Sequence, residues 1–354
     1  MKTKLNLFWF RRDLRLIDNH GLYEALQSEL PVLPIFIFDT EILNQLENKE
    51  DKRVDFIFQA LEKLNEYLEK QGKSIQIFYG KPLEIYENLS QQYEIGNVFC
   101  NEDYEPYAIK RDQEIKDFLA SKNINFYQFK DQVIFQKDEI TKADGKPYTV
   151  YTPYSKQWLL KFNDQNLEFF ASEKKLDNLL NIEKQKITLE HIGFKKTNYL
   201  FEPPKINLEI LEKYHETRNL PTKETSQMSV HLRFGTISAR KLVKLASELN
   251  DNTYLKELIW REFFMQILWH FPKVIHHSFK EKYDNIAWEN NEELFQKWCE
   301  GKTGYPIVDA GMRELNETGL MHNRVRMVCA SFLTKHLLTD WRIGEAYFAE
   351  KLMD

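Results

Sequence analysis

The sequence predicts an α/β domain built on a doubly wound, five-stranded parallel sheet, followed by an all-α domain. Two observations carry this prediction. Short apolar runs alternate with amphipathic stretches through residue 130, whereas from Ile206 onward the periodicity is helical with no strand-like alternation. The predicted strands are Leu5–Phe10, Val32–Phe38, Ser74–Tyr79, Gly96–Cys100 and Asn125–Phe129. Between them, Arg53–Lys70, Pro82–Gln91 and Tyr107–Ala120 carry apolar residues at three- and four-residue steps, as a helix resting on a sheet requires. From Asp131 to Pro204 the pattern is irregular and broken by Pro147, Pro153, Pro203 and Pro204, which reads as a long connection with some helix. The domain boundaries expected are therefore 1–130, 131–204 and 205–354.

Several function classes are excluded early. No GxGxxG or GxxxxGK[ST] follows a strand, which argues against a dinucleotide or P-loop enzyme. Cys100, Cys299 and Cys329 are scattered without a CxxC pair, against a disulfide framework or zinc site and in keeping with a reducing cytoplasm. The N-terminus lacks the apolar run of a signal peptide, and no segment is long enough to span a membrane. A net charge of −5 excludes a general polyanion binder. From Arg218 to Asp354, however, 19 Lys/Arg face 18 Asp/Glu, so the acidic excess lies upstream and a local basic groove is possible. Aromatic residues make up 14%, which suits large cores or a site that stacks on flat ligands.

Three constellations suit nucleotide chemistry. In Glu257–Phe264, a predicted helix, Glu257, Trp260, Arg261 and Phe264 fall on one face. Indole stacks on a base, guanidinium meets phosphate, and carboxylate accepts from base N–H groups. A helix ion pair beside a half-buried tryptophan is the plainer account of the same octamer. In Met321–Leu333, Asn323, Arg326 and Met327 share a face that suits a polar heterocycle, while Arg324 points elsewhere; Arg326 paired with a nearby carboxylate is the plainer reading. Thr225, Ser226, Gln227, Met228 and Ser229 place hydroxyls and backbone N–H groups before a helical run, as in a phosphate cradle or a simple cap. Trp288, Trp298 and Trp341 are spaced as core anchors or as an electron relay.

Taken together these segments resemble the photolyase/cryptochrome family. FWFRRDLRLIDN (Phe8–Asn19), VYTPYSKQW (Val150–Trp158), TSQMSVHLRFGTIS (Thr225–Ser238), ELIWREFF (Glu257–Phe264), the block Trp298–Met327 and DWRIGEAYF (Asp340–Phe348) match it in order. The resemblance implies an antenna domain followed by a helical domain that binds FAD. By resemblance Tyr214 and Thr225–Ser229 contact the flavin nucleotide, with Asn323, Arg326 and Asp354 near its ring or ribose. Trp341 and Trp288 look like the middle and outer members of the family's electron relay. Glu257, Trp260 and Met327 would face the lesion, and Phe264 and Asn323 join them on the DNA side; Arg218, Arg261 and Arg324 would meet the DNA backbone. The implied reaction repairs cyclobutane pyrimidine dimers: an electron passes from light-excited reduced FAD to the dimer, the ring splits, and the electron returns. The lesion must leave the duplex for this, and photolyases are a standard example of such base flipping. The implied partner is UV-damaged DNA, with no membrane, and the protein is expected to be a monomer. The (6-4) photolyases carry histidines where Asn323 and Met327 stand, which favours cyclobutane dimers. The alternatives are a cryptochrome-type photoreceptor and a repair-inactive flavin- or nucleotide-binding protein.

The sequence also departs from the family. It ends at Asp354, whereas relatives continue through a stretch supplying a second aspartate, an asparagine beside the flavin and the innermost relay tryptophan. The expectation is a C-terminally truncated chain that binds FAD weakly and repairs poorly. Glu224 stands where many relatives have Gly, which bears on the backbone at the phosphate cradle. In Asn101–Asp112, Tyr107–Ala108 replaces a carboxylate that folate-binding relatives use. The antenna is therefore open between folate, a deazaflavin, another flavin and none.

Overall fold

The structure, a computed structural model, describes residues 2–163 and 165–354. Five parallel strands form one sheet: β1 (Lys4–Phe10), β2 (Val32–Asp39), β3 (Gln76–Gly80), β4 (Glu94–Asn101) and β5 (Asn125–Phe129), in the order β3-β2-β1-β4-β5. β1 and β2 are buried almost throughout, because helices cover both of their faces and neither side can afford a polar run. On one face Leu5, Leu7, Trp9, Leu33, Ile35 and Ile37 pack with Tyr86, Leu89, Ile115 and Leu119 from the helices Pro82–Gln92 and Pro106–Ser121. The helix His20–Leu26 rests on β1 and β4. It comes so near that a Cβ on Gly21 would lie 2.8 Å from Asn101 Oδ1 and 3.1 Å from the Cys100 carbonyl, so only glycine fits. The chain turns from one side of β1 to the other between β3 and β4, which opens a crevice at the carboxyl ends of β1 and β4.

The predicted strands and helices match these elements to within about two residues, the usual scatter of helix and strand ends. The irregular stretch after Asp131 holds the helix Tyr151–Asn163 and several 3₁₀ turns. It is fastened to the sheet domain: Lys73 Nζ donates to the carbonyls of Leu176, Asp177 and Leu179 at 2.7, 2.6 and 3.1 Å. Among the described residues after Ile206 all regular structure is helical.

Two compact units emerge. The first comprises residues up to Ile206 together with His231–Pro272, so it holds the helices Ala239–Ser247 and Thr253–His270 as well as the sheet. The second comprises Asn207–Val230 and Lys273–Asp354. Its core gathers on Trp298, fully buried, whose Nε1 donates to the Cys329 carbonyl at 3.1 Å. Val308, Met312, Leu315, Val325 and Leu333 from the helices Pro306–Thr318 and Asn323–Lys335 close around it.

Candidate functional site

In the first unit, the crevice at the carboxyl ends of the strands is a cavity of about 210 Å³. Phe36, Phe38, Ile42, Leu43 and Ile57 give it apolar walls, and Arg11, Arg111, Asp39 and Tyr107 give it polar ones. The guanidiniums of Arg11 and Arg111 lie 4.9 and 4.7 Å from the Trp9 ring. Arg11 is held by both carboxylate oxygens of Asp112, at 2.6 and 2.5 Å, and by the Asn101 carbonyl. Tyr107 donates to Asp39 at 2.6 Å. Burial pushes the Asp39 carboxyl above its ordinary range despite that bond. Burial would also raise Asp103, but Arg12, Arg11 and Arg111 outweigh it and hold the carboxyl below its ordinary range.

The first unit also holds a buried charge cluster that sequence reasoning missed. Asp131 accepts from Arg15 Nη2 at 2.7 and 2.8 Å and from Arg240 Nη2 at 2.8 Å. Arg240 also reaches Asp18, which accepts from Ser238 Oγ. Burial opposes ionisation of Asp131, yet the two guanidiniums hold its carboxyl at about 2. The cluster ties the turn after β1 and the chain after β5 to the helix Ala239–Ser247. Its only sequence signal was the arginine-rich turn Arg11–Arg15.

On the helix Thr253–His270 the residues of the predicted face escape full burial: Glu257, Trp260 and Arg261 are half-buried and Phe264 is 60% exposed. Arg261 turns inward, donating to the carbonyls of Gln132 at 2.7 Å and Leu232 at 3.4 Å. It therefore splints this helix to neighbouring loops, which the sequence alone did not reveal. Sequence reasoning also passed over Glu262, which is 3% exposed. Its carboxylate accepts from the amides of Ile134 and Phe135 at 2.7 and 2.9 Å and from Trp158 Nε1 at 2.6 Å. Burial raises this carboxyl to about 7 even against those three donors.

In the second unit, Arg326 Nη2 meets Asp354 Oδ1 at 2.7 Å, so the structure joins two predicted flavin residues that lie far apart in sequence. Arg326 Nε is buried and makes no hydrogen bond. His322 caps the helix Asn323–Lys335 by accepting from the Arg324 amide at 3.2 Å. Burial lowers the His322 pKa, which keeps the ring neutral for that role. Asn323 and Met327 are exposed on this helix. Arg324 Nε donates to Asn219 at 2.8 Å, and Arg324 Nη1 lies 3.7 Å from Met327 Sδ. Tyr214 and Arg218 are half-buried on the short helix Tyr214–Thr217 and at its end. Thr225–Ser229 run irregularly into the start of the helix Ser229–Phe234, with Met228 buried and Gln227 at φ +52°. That left-handed residue breaks the local backbone close to Glu224. Trp288 and Trp341 are half-buried, and no ring contact joins them among the described residues; Arg342 lies 5.2 Å from the Trp341 ring.

A model described as DNA photolyase matches residues 6–173, and one described as the FAD binding domain of DNA photolyase matches residues 254–354. A deoxyribodipyrimidine photo-lyase of Synechococcus is 33% identical over 98% of this chain and 78% of its own length. The chain belongs to the DNA photolyase family. Among solved structures, an archaeal photolyase of Sulfolobus tokodaii with two FAD molecules aligns at a TM-score of 0.79. It is 32% identical, and the alignment covers 99% of this chain and 79% of that one. A Synechocystis cryptochrome shares the fold at a TM-score of 0.83 and 24% identity, covering 100% and 80%.

The residues of this photolyase-family chain fit a flavin nucleotide. Arg326 keeps a buried Nε without an acceptor while its own Nη2 meets Asp354. A polar ligand edge is the acceptor that such a donor lacks. No group of three or more His, Cys, Asp or Glu that could hold a metal occurs among the described residues. No helix among them is long and apolar enough to cross a membrane.

Proposed function

We propose that this chain repairs cyclobutane pyrimidine dimers in DNA in a light-driven reaction that uses reduced FAD. The observation carrying the choice of lesion is the exposed pair Asn323 and Met327, separated by four residues and so on one face of the helix Asn323–Lys335, where (6-4) enzymes have histidines. When bound, FAD supplies the electron that opens the dimer and receives it back. The chain's own residues bind and orient. Arg326 and Asp354 hold the polar part of the flavin, with Tyr214 and Thr225–Ser229 at its nucleotide. Glu257 accepts from the N–H edge of the flipped base and holds it in the reactive orientation. Trp260, with Phe264 beside it, packs against the dimer. Arg218 and Arg324 meet phosphates, and Trp288 and Trp341 serve the electron relay. Arg261 positions the lesion-facing helix through its two carbonyl bonds.

The crevice above the sheet suits a second, flat chromophore, whether folate, deazaflavin or flavin, between apolar walls and an arginine-flanked indole. The three cysteines are free and buried, in keeping with a reducing cytoplasm, where the protein acts as a monomer on DNA. A cryptochrome-type photoreceptor is the second reading, favoured by the shared fold. Light-dependent repair of a defined cyclobutane dimer, run beside a (6-4) lesion, tests the proposal. Repair of the first alone is expected; flavin binding without repair of either would transfer the chain to the photoreceptors.

A further inference from the structure

Trp260 is enclosed by aromatic rings from two helices of the first unit. Tyr151, which opens the helix Tyr151–Asn163, lies flat on it, with centroids 3.6 Å apart and planes 6° apart. Phe263 meets the indole edge-on at 5.7 Å and 80°, and Phe264 stacks on it, offset, at 5.4 Å and 24°. Tyr151 also touches Phe263 edge-on at 5.9 Å. The phenol is anchored: its hydroxyl donates at 2.9 Å to the carbonyl of Lys256, one helical turn before Trp260. The same two helices are fastened further along by Trp158 Nε1, which donates to Glu262 at 2.6 Å. Between those fastenings Tyr154 packs on Phe263 at 5.1 Å. The ring of Tyr151 is thus the point where a rigid helix pair bears on the indole.

A coplanar stack at this distance uses one whole face of an indole. A ligand is left only the part of the indole that Phe263 and Phe264 do not cover. A half-exposed tryptophan without such a neighbour samples several rotamers, and binding must then immobilise it at an entropic cost. The stacked ring removes that cost in advance.

We propose that Tyr151 is a positioning residue for lesion recognition: it covers one face of Trp260 and holds the indole in the orientation that a flipped pyrimidine dimer meets. This rests on the reading of Trp260 as lesion-facing. The tyrosine itself touches neither the dimer nor the flavin. Its contribution is therefore to discrimination, and affinity for undamaged DNA does not depend on it.

The test uses the full chain and two probes, a single-stranded oligothymidylate with one cyclobutane dimer and the same strand without it. Dissociation constants are measured in the dark for the wild type, Tyr151→Phe, Tyr151→Leu and Trp260→Ala. In Tyr151→Leu the ratio of dimer to undamaged affinity should fall about two- to tenfold, the strength of an aromatic pair. Tyr151→Phe keeps the ring and should recover most of the ratio, a rescue that a purely structural role would not require. If Tyr151→Leu does not fold, Tyr151→Met, which fills similar space with a flexible chain, supplies the same comparison. An unchanged ratio in the leucine or methionine variant, with a reduced one in Trp260→Ala, overturns this inference and leaves the lesion reading intact. An unchanged ratio in Trp260→Ala removes the lesion reading and the inference together. Tighter dimer binding in Tyr151→Leu would show that the phenol occupies the lesion's place, which also overturns it.

Discussion

The buried cluster around Asp131 and the polar residues of the helix Asn323–Lys335 differ in how completely they are bonded. Asp131, 1% exposed, accepts from two guanidiniums, and Arg240 is shared further with Asp18. In this cluster each charge has a partner of opposite sign. On the helix of the second unit, Asn323 and Met327 face outward, Arg324 reaches across to Asn219, and Arg326 keeps a buried Nε without an acceptor. Buried charges survive only when paired, so the first group is scaffold. Polar groups left exposed or incompletely bonded keep hydrogen-bonding capacity that a ligand can use. The same residue types thus serve different ends, and burial with partner count tells them apart.

The largest effect expected from this contrast is on stability. Asp131→Ala would leave Arg15 buried without its carboxylate and Arg240 with Asp18 alone, and should cost about 3–5 kcal/mol in denaturant unfolding. A loss no larger than that of a surface substitution would erase the distinction between the two regions. The same carboxylate gives a pH signature. Its folded pKa of about 2 lies below the ordinary value of 3.8, so its contribution is complete above about pH 4 and is lost as pH falls towards 2. Asp131→Asn should flatten that acid limb.

Arg326→Gln comes next. It removes the ion pair with Asp354 and should weaken FAD binding about tenfold or more, read by flavin absorbance titrated against protein. Because the side chain is 28% exposed, the unfolding midpoint should move far less than in Asp131→Ala. Equal losses of stability in both variants would show that Arg326 is scaffold too. The smallest effect belongs to Glu257→Gln, which keeps a hydrogen-bonding oxygen but removes the charge. Repair yield per absorbed photon should fall about two- to fivefold, with dark affinity for undamaged DNA held, since a charge-assisted bond is about twice as strong as a neutral one. An unchanged yield would take Glu257 out of the chemistry.

Much of the first unit's fold was legible because its signals are local. The apolar runs of β1 and β2 and the amphipathic period of Lys52–Leu68 name their own partners' faces. The facing of Glu257, Trp260, Arg261 and Phe264 was legible too, since helical spacing alone decides it. The inward turn of Arg261 was not, because its acceptors at Gln132 and Leu232 are distant in sequence and are main-chain atoms that leave no mark in composition. Glu262 was hidden for the same reason. Two of its three donors are backbone amides, and its position beside Arg261 gave every appearance of an ordinary surface charge.

The sequence by itself determined the alternation of strand and helix, the all-helical continuation, and the motifs by which the chain joins the DNA photolyase family, because periodicity and spacing are properties of neighbours along the chain. Only the tertiary structure decided which charges are buried and paired, that Asp354 meets Arg326, and that Tyr151 lies flat on Trp260. Those facts depend on distances between residues up to roughly a hundred or more positions apart, and a hydrogen bond or ring stack weakens within ångströms.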